Sequence, residues 1–151
     1  LFSKRLADND LFLLPGNYIL IENSFLQEPW NLDQLIFDLQ VKGLKPILVH
    51  PERYAYYSNR KNRYLELHDQ GVSFQINLLS LAGAYGSAEK KMAEYLLAQG
   101  VVDFIGTDLH RTSHADRIDA YLLTSDAHSH MADAAATIQN NTAFPAPAIV
   151  E

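Results

Sequence analysis

Residues 37–54 read FDLQVKGLKPILVHPERY, and this stretch decides the fold. Its first part ends a helix. Leu32, Leu35, Ile36 and Leu39 recur at the 3.6-residue period and line one face. Asn31 is placed to cap that helix, with Gln34 completing a capping box, and Trp30 and Leu35 are spaced for a hydrophobic staple. Gly43 then closes the helix, since a C-terminal cap commonly needs the left-handed backbone that glycine accepts. The second part, KPILVH at 45–50, is a short aliphatic run that predicts a strand.

The same rhythm extends in both directions. YILIEN (18–23), VSFQIN (72–77) and VVDFIG (101–106) are runs of the same kind, and the four recur at intervals of 25–30 residues. Helical patterns lie between them. A second helix is expected over 60–70, ending at Gly71. A third starts at a Ser87 cap, buries Met92, Tyr95 and Leu96, and ends at Gly100. A fourth begins near Ser125, carries Met131, Ala135 and Ile138 on one stripe, and ends near Asn140 and Asn141. The fold class is therefore α/β, with four βα units and a parallel sheet. Residues 1–141 are expected to be a single domain and 142–151, with Pro145 and Pro147, a loose tail.

Composition removes several function classes. The chain has 151 residues, 48% hydrophobic and 20% charged, which is ordinary for one globular domain. A net charge of −6 with no basic stretch argues against a nucleic-acid partner. No apolar run approaches the roughly 20 residues of a membrane span. There is no cysteine, which rules out disulfides, cysteine-ligated zinc and a thiol nucleophile, and fits a cytoplasmic location.

In parallel α/β folds chemistry collects at the carboxyl ends of the strands. Here those ends carry Glu22-Asn23, His50, Gln75-Ile76-Asn77, and the segment Thr107-Asp108-Leu109-His110-Arg111. Three of four strands deliver a potential metal ligand to one rim, and Arg53 and Arg111 follow directly. Carboxylate and imidazole ligands together suit zinc, manganese or iron. An adjacent arginine suits a phosphate oxygen, through bidentate hydrogen bonds. The combination suggests phosphoester hydrolysis by metal-activated water. Each residue also has a plain structural role open to it. Glu22 can be a polar strand end, His50-Pro51 a turn and Asp108 a cap. His68 is better read as structural, and His114 suits a surface helix start.

A second segment imitates a metal motif. TSDAHSHM at 124–131 holds Asp-x-His and His-x-His. On a helix capped by Ser125, two residues apart means about 200° apart. His128 is then expected on the stripe with Met131 and Ala135, and His130 facing away. Asp126 suits the positive end of the helix dipole. Asp108 and His110, following a strand, are expected to point to one side and to face one metal.

Five stretches carry a family resemblance. HPERY (50–54) lies within FDLQVKGLKPILVHPERY, and YILIENSF (18–25), FQINLLSLAGAYG (74–86) and FIGTDLH (104–110) stand in the same order around it. Together they resemble the PHP-type (polymerase and histidinol phosphatase) metallophosphatases, and most closely the bacterial tyrosine-protein phosphatases of capsular and exopolysaccharide synthesis. The resemblance implies a distorted (βα)7 barrel with up to three metals, usually Mn2+. It implies that Glu22, His50, Asp108 and His110 are metal ligands and that Arg53 contacts the substrate phosphate. Arg111 is the nearest match to the family's second arginine, and Arg117 the next. The implied partner is a phosphotyrosine segment of a bacterial tyrosine autokinase. A PHP-type small-molecule phosphoesterase, such as a histidinol phosphatase, shares the chemistry, and an inactive truncated or scaffold fragment is the non-catalytic alternative.

Family members begin with a strand carrying His-x-His and an Asp-Asp-Gly turn, then supply another His and Glu. None of these precedes Leu1. A complete barrel of this type needs roughly 200–250 residues. The chain is therefore expected to be a partial PHP-type domain, about the second half of the barrel, with an incomplete metal cluster that holds one ion weakly. Its open sheet edge invites pairing between copies into a homo-oligomer.

Overall fold

The computed structural model describes residues 11–144. Four strands, β1 (Tyr18–Ile21), β2 (Lys45–Val49), β3 (Ser73–Asn77) and β4 (Phe104–Gly106), form one parallel sheet in the order β1-β2-β3-β4. The register sets Ile21 opposite Leu48, Val49 opposite Gln75 and Asn77 opposite Gly106. Parallel strands standing in sequence order are what the wall of a βα barrel requires, so the α/β class and the four βα units hold.

The helices are α1 (Leu32–Val41), α2 (Asn62–Asp69), the single turn α3 (Leu78–Leu81), α4 (Ser87–Ala98), α5 (Thr112–Leu122), α6 (Ser125–Ala134) and the short α7 (Asn140–Ala143). In α1, Leu32, Ile36 and Leu39 are buried as the periodicity predicts. Gly43 has φ 74°, its N–H donates to Gln40 O, and Leu44 N donates to Leu39 O at 3.0 Å. That pair of bonds is a Schellman closure. Gly71, with φ 86°, closes α2 in the same way through Val72 N and Leu67 O.

The amino end of α1 differs from expectation. Asn31 makes no side-chain capping bond, and the Gln34 amide donates instead to Asp38 Oδ1 at 2.7 Å, one turn along. Trp30 is 96% exposed, so no staple forms. Ser87 is the first residue of α4, and Gly86 stands at its cap position. The helix over TSDAHSHM starts as expected, but Thr124 is the cap, accepting from Ala127 N at 3.1 Å. It ends at Ala134 rather than near Asn140, and Ala135 is exposed. Helix α5 begins where His114 suits a surface helix start, but its extent has no periodic signal. Its sequence, TSHADRIDAYL, buries only Ile118 and Tyr121, too few apolar residues to mark a period.

The two faces of the sheet do different things. Alternation sends Ile19, Ile21, Leu48, Phe74 and Ile76 to one face, where they join the helices in the main core. The opposite face is aromatic at the amino ends of the strands, where Tyr18, Phe104 and Phe144 meet edge-on or tilted with centroids 5.3–5.6 Å apart. At the carboxyl ends the same face turns polar. Phe144 and α7 thus pack at the start of the segment expected to be a loose tail; residues 145–151 of that segment lie outside the described residues.

Among the described residues, the two edges of the sheet differ. On β4, Ile105 N donates to Asn140 Oδ1 and Asn140 Nδ2 donates to Ile105 O, both at 3.0 Å. One side-chain amide therefore takes the place of a neighbouring strand. On β1 the outer edge carries, among the described residues, a single bridge from Leu14 to Tyr18. No helix among the described residues is long and apolar enough to cross a membrane.

Candidate active site at the carboxyl ends of the strands

Because the strands are parallel and adjacent, the residues that follow them meet. Leu20, Val49, Gln75 and Gly106 floor a cavity of about 200 Å³, and Glu22, His50, Asn77 and Asp108 form its rim. Two larger clefts, of about 570 and 550 Å³, lie over Arg60, Arg63 and Glu66 and contain none of these rim residues. Both share Arg60 and Arg63, which pair with Glu28 in the wall of the second, so size is a poor guide to the chemistry here.

His50 is held in an unusual way. Its N–H donates to Gln75 O at 2.7 Å, which continues the β2–β3 ladder by one residue. The backbone then turns left-handed, at φ 39° and ψ 50°, immediately before Pro51. Proline pushes the preceding residue toward extended backbone, and such strain, about 1–3 kcal/mol, persists only where the surroundings impose it. The imidazole stacks on Phe25 at 5.3 Å and 18°, and its Nε2 lies 3.2 Å from Glu22 Oε1. Its Nδ1 is buried with no partner. Burial and then the Arg53 cation push the imidazole below its ordinary value, against the opposing pull of Glu22 and Asp108. A neutral imidazole with a lone pair is the form that ligates a metal.

Asp108 is the second left-handed residue of the site, at φ 47°. Strand β4 has already ended at Gly106, so the alternation expected for Asp108 and His110 does not apply. His110 instead turns back on its own loop, its Nδ1 2.6 Å from Asp108 O and 3.3 Å from Asp108 Oδ1, with the side chain 68% exposed. Asp108 Oδ2 accepts from Asn77 Nδ2 at 3.4 Å and faces Arg53 at 3.9 Å. The structure brings Glu22, His50 and Asp108 to one rim, with Arg53 facing Asp108 and His110 beside it. Arg111 is exposed at the N-cap of α5 and makes no hydrogen bond or ion pair with the rim among the described residues. Arg117 donates to Ala84 O at 3.4 Å.

The donor set matches a hard or borderline metal in chemistry but not in number. It consists of two carboxylate–imidazole pairs, Glu22 with His50 and Asp108 with His110. Among the described residues no three His, Asp or Glu side chains converge into a group able to hold an ion. Among the described residues, these side chains by themselves do not make up a full metal-ligand group.

The imitation motif sits elsewhere, and its orientation is reversed. His130, with 12% of its side chain exposed, pairs with Tyr121 Oη at 2.7 Å and Glu94 Oε1 at 3.4 Å, while His128 is exposed. Asp126 pairs with Lys90 Nζ at 3.1 Å. The segment fastens α6 to α4 and α5. His68 is structural as expected, 3.4 Å from Asp103 Oδ2.

A family model described as capsular polysaccharide synthesis, CpsB/CapC, matches residues 3–120. The chain belongs to the CpsB/CapC family. Among its relatives, the tyrosine-protein phosphatase YwqE of Bacillus subtilis is 35% identical over 100 residues, 66% of this chain and 39% of that protein. The tyrosine-protein phosphatase CpsB of Streptococcus pneumoniae is 30% identical over 100 residues, 63% of this chain and 41% of that protein. A solved structure from work on YwqE and CpsB, described there as unique metal-dependent tyrosine phosphatases, superposes with a TM-score of 0.70 at 28% identity, covering 89% of this chain and 58% of the other. The chain thus spans about two fifths of the length of the curated relatives it matches.

Several residues packed around this rim carry no signal in the sequence reading. Glu52 is 4% exposed, and its Oε1 accepts from Asn77 N at 2.9 Å and Ser80 Oγ at 2.6 Å, tying the turn after His50 to β3 and α3. Tyr54 Oη accepts from Asn23 N at 2.9 Å and donates to Val49 O at 3.2 Å, bracing the ends of β1 and β2. Phe25 and Tyr85 flank Arg53. The clue available was the density of polar and aromatic residues after each strand, with no spacing rule to pair them.

Proposed function

We propose that the chain supplies the strand-end part of a metal-dependent phosphotyrosine-protein phosphatase. The substrate is a phosphotyrosine segment of a bacterial tyrosine autokinase in capsular polysaccharide synthesis, handled in the cytoplasm. Glu22, His50, Asp108 and His110 are donors toward Mn2+, and Arg53 and Arg111 bind phosphate. The observation that carries this reading is the strand-end rim, where the His50 imidazole and the Glu22 and Asp108 carboxylates line one cavity in a CpsB/CapC chain, with Arg53 3.9 Å from Asp108. Arg53 offers the planar donors that a phosphate monoester needs, and its geometry supports the role better than that of Arg111. Residues 1–141 act as one domain, and copies pair through the outer edge of β1, which lacks the amide clamp that covers β4.

The test is release of phosphate from a phosphotyrosine peptide by the full-length protein with and without Mn2+. Near-complete loss on His50→Ala is expected, and unchanged turnover would sink the reading.

That no three donors converge among the described residues favours a second statement about the 151 residues alone, that they bind metal weakly and do not turn over substrate. Metal analysis of the purified chain tests it; one tightly held ion per chain would contradict it.

A further inference from the structure

The loop after β1 holds Phe25 beside the cavity with 44% of its surface exposed. Leaving a phenyl group in water forgoes burial that the main core offers to such residues. The loop is fixed, since Glu28 accepts from Arg60 and from Arg63, both at 2.8 Å. Phe25 is therefore held at the rim by its own anchor.

Its position relative to Arg53 is specific. The guanidinium carbon lies over the Phe25 ring, 4.9 Å from the centroid, and over the Tyr85 ring, 4.4 Å from its centroid. Tyr85 is itself steered by Asn77, whose Nδ2 is 3.4 Å from Tyr85 Oη. Attraction of a cation to two ring faces fixes the guanidinium without using its N–H donors. Its carboxylate neighbour Asp108 is 3.9 Å away, beyond hydrogen-bond length. The donors are left for an anion, and whatever the anion carries must pass the two rings.

We propose that Phe25 and Tyr85 are specificity-determining residues that select aryl over alkyl phosphate monoesters. A monoester held by Arg53 sets its organic group one ester oxygen from the phosphorus, which brings an aromatic ring within stacking range of the two rings that flank the arginine. An alkyl chain in the same place gains area but no ring–ring contact. The inference rests on the phosphate-binding role given to Arg53 above and adds the source of ring selection.

Equilibrium binding to the full-length protein tests this with phenyl phosphate and ethyl phosphate, read by calorimetry. Phenyl phosphate is expected to bind about tenfold more tightly, the equivalent of one or two aromatic pairs. Phe25→Leu and Tyr85→Leu, which keep an apolar side chain, each narrow that ratio at least about threefold. Tyr85→Phe keeps it, and Arg53→Lys weakens both ligands together. A ratio near one in the native protein, or one unchanged by both leucine variants, overturns the proposal. Turnover of a phosphotyrosine peptide is measured alongside. No turnover with the binding ratio intact supports the selection proposed here while overturning the phosphatase reading.

Discussion

Glu52 offers the sharpest test of how the site is built. It follows His50 by two residues and is almost wholly buried, with one oxygen accepting two hydrogen bonds and the other, Oε2, without a partner. Burial pushes its carboxyl up from about 4.5 to about 7, against the hydrogen bonds of Ser80 and Asn77 and the Arg53 cation. The folded protein therefore holds this proton more firmly than the unfolded chain does. Between the two values the native state binds more protons, so stability falls as pH rises. The contribution is fully present below about pH 4.5 and is lost as pH climbs through 7. A difference of this size corresponds to about 3 kcal/mol in full, of which about 2 kcal/mol falls between pH 5 and 8. Glu52→Gln keeps an oxygen for Asn77 N and Ser80 Oγ and cannot ionise. Its amide nitrogen replaces the unpaired Oε2 and needs an acceptor, which costs about 1–3 kcal/mol at every pH. The variant is thus expected to be less stable than the native protein at pH 5 and to close the gap by about 2 kcal/mol at pH 8. Urea unfolding of both proteins across that range measures it, and other titrations cancel in the difference. Parallel stability curves would refute the assignment of a buried, proton-holding carboxyl at this turn.

Two further expectations concern the ends of the sheet. Asn140→Asp replaces the amide donor that faces Ile105 O with an acceptor, so the clamp on β4 opens. A loss of about 1–3 kcal/mol is expected, together with concentration-dependent association seen by size-exclusion chromatography, since the edge becomes free to pair. An unchanged urea midpoint and a constant elution volume would count against the clamp. Tyr54→Phe deletes the hydroxyl shared by Asn23 N and Val49 O and is expected to cost about 1–3 kcal/mol, because a buried N–H loses its acceptor. Hydrogen exchange at Asn23 should rise with it; unaltered protection there would show that the hydroxyl does not brace β1.

Much of the frame was legible because its signals are local. The runs at 18–23, 45–50 and 72–77 are strands wherever they are placed, and Gly43 and Gly71 close helices through a backbone conformation that depends on little beyond the residue itself. Signals that depend on competing partners were less secure. Gln34 was free to choose between the Asn31 backbone and Asp38, and it takes Asp38. Trp30 was free to fold onto Leu35 and points into solvent. His128 and His130 were correctly read as divergent, but which one faces inward is decided by Tyr121 and Glu94 on other helices, of which α5 had no visible pattern.

The site divides along the same line. That Glu22, His50, Asp108 and Arg53 come near one another was legible because strand ends in a parallel sheet converge whatever the loops do. What those loops do was not written in residue spacing. His50 and Asp108 both leave their strands through left-handed backbone, and that turn sends the His50 ring onto Phe25 and His110 back toward Asp108, away from any shared third donor. The rule that residues i and i+2 share a side fails at Asp108 because β4 stops at Gly106, where a Cβ would lie 2.5 Å from the Gln75 amide nitrogen. The missing Cβ at Gly106 gives the Gln75 side chain room, and the strand ends at that same residue, which releases the Asp-x-His loop.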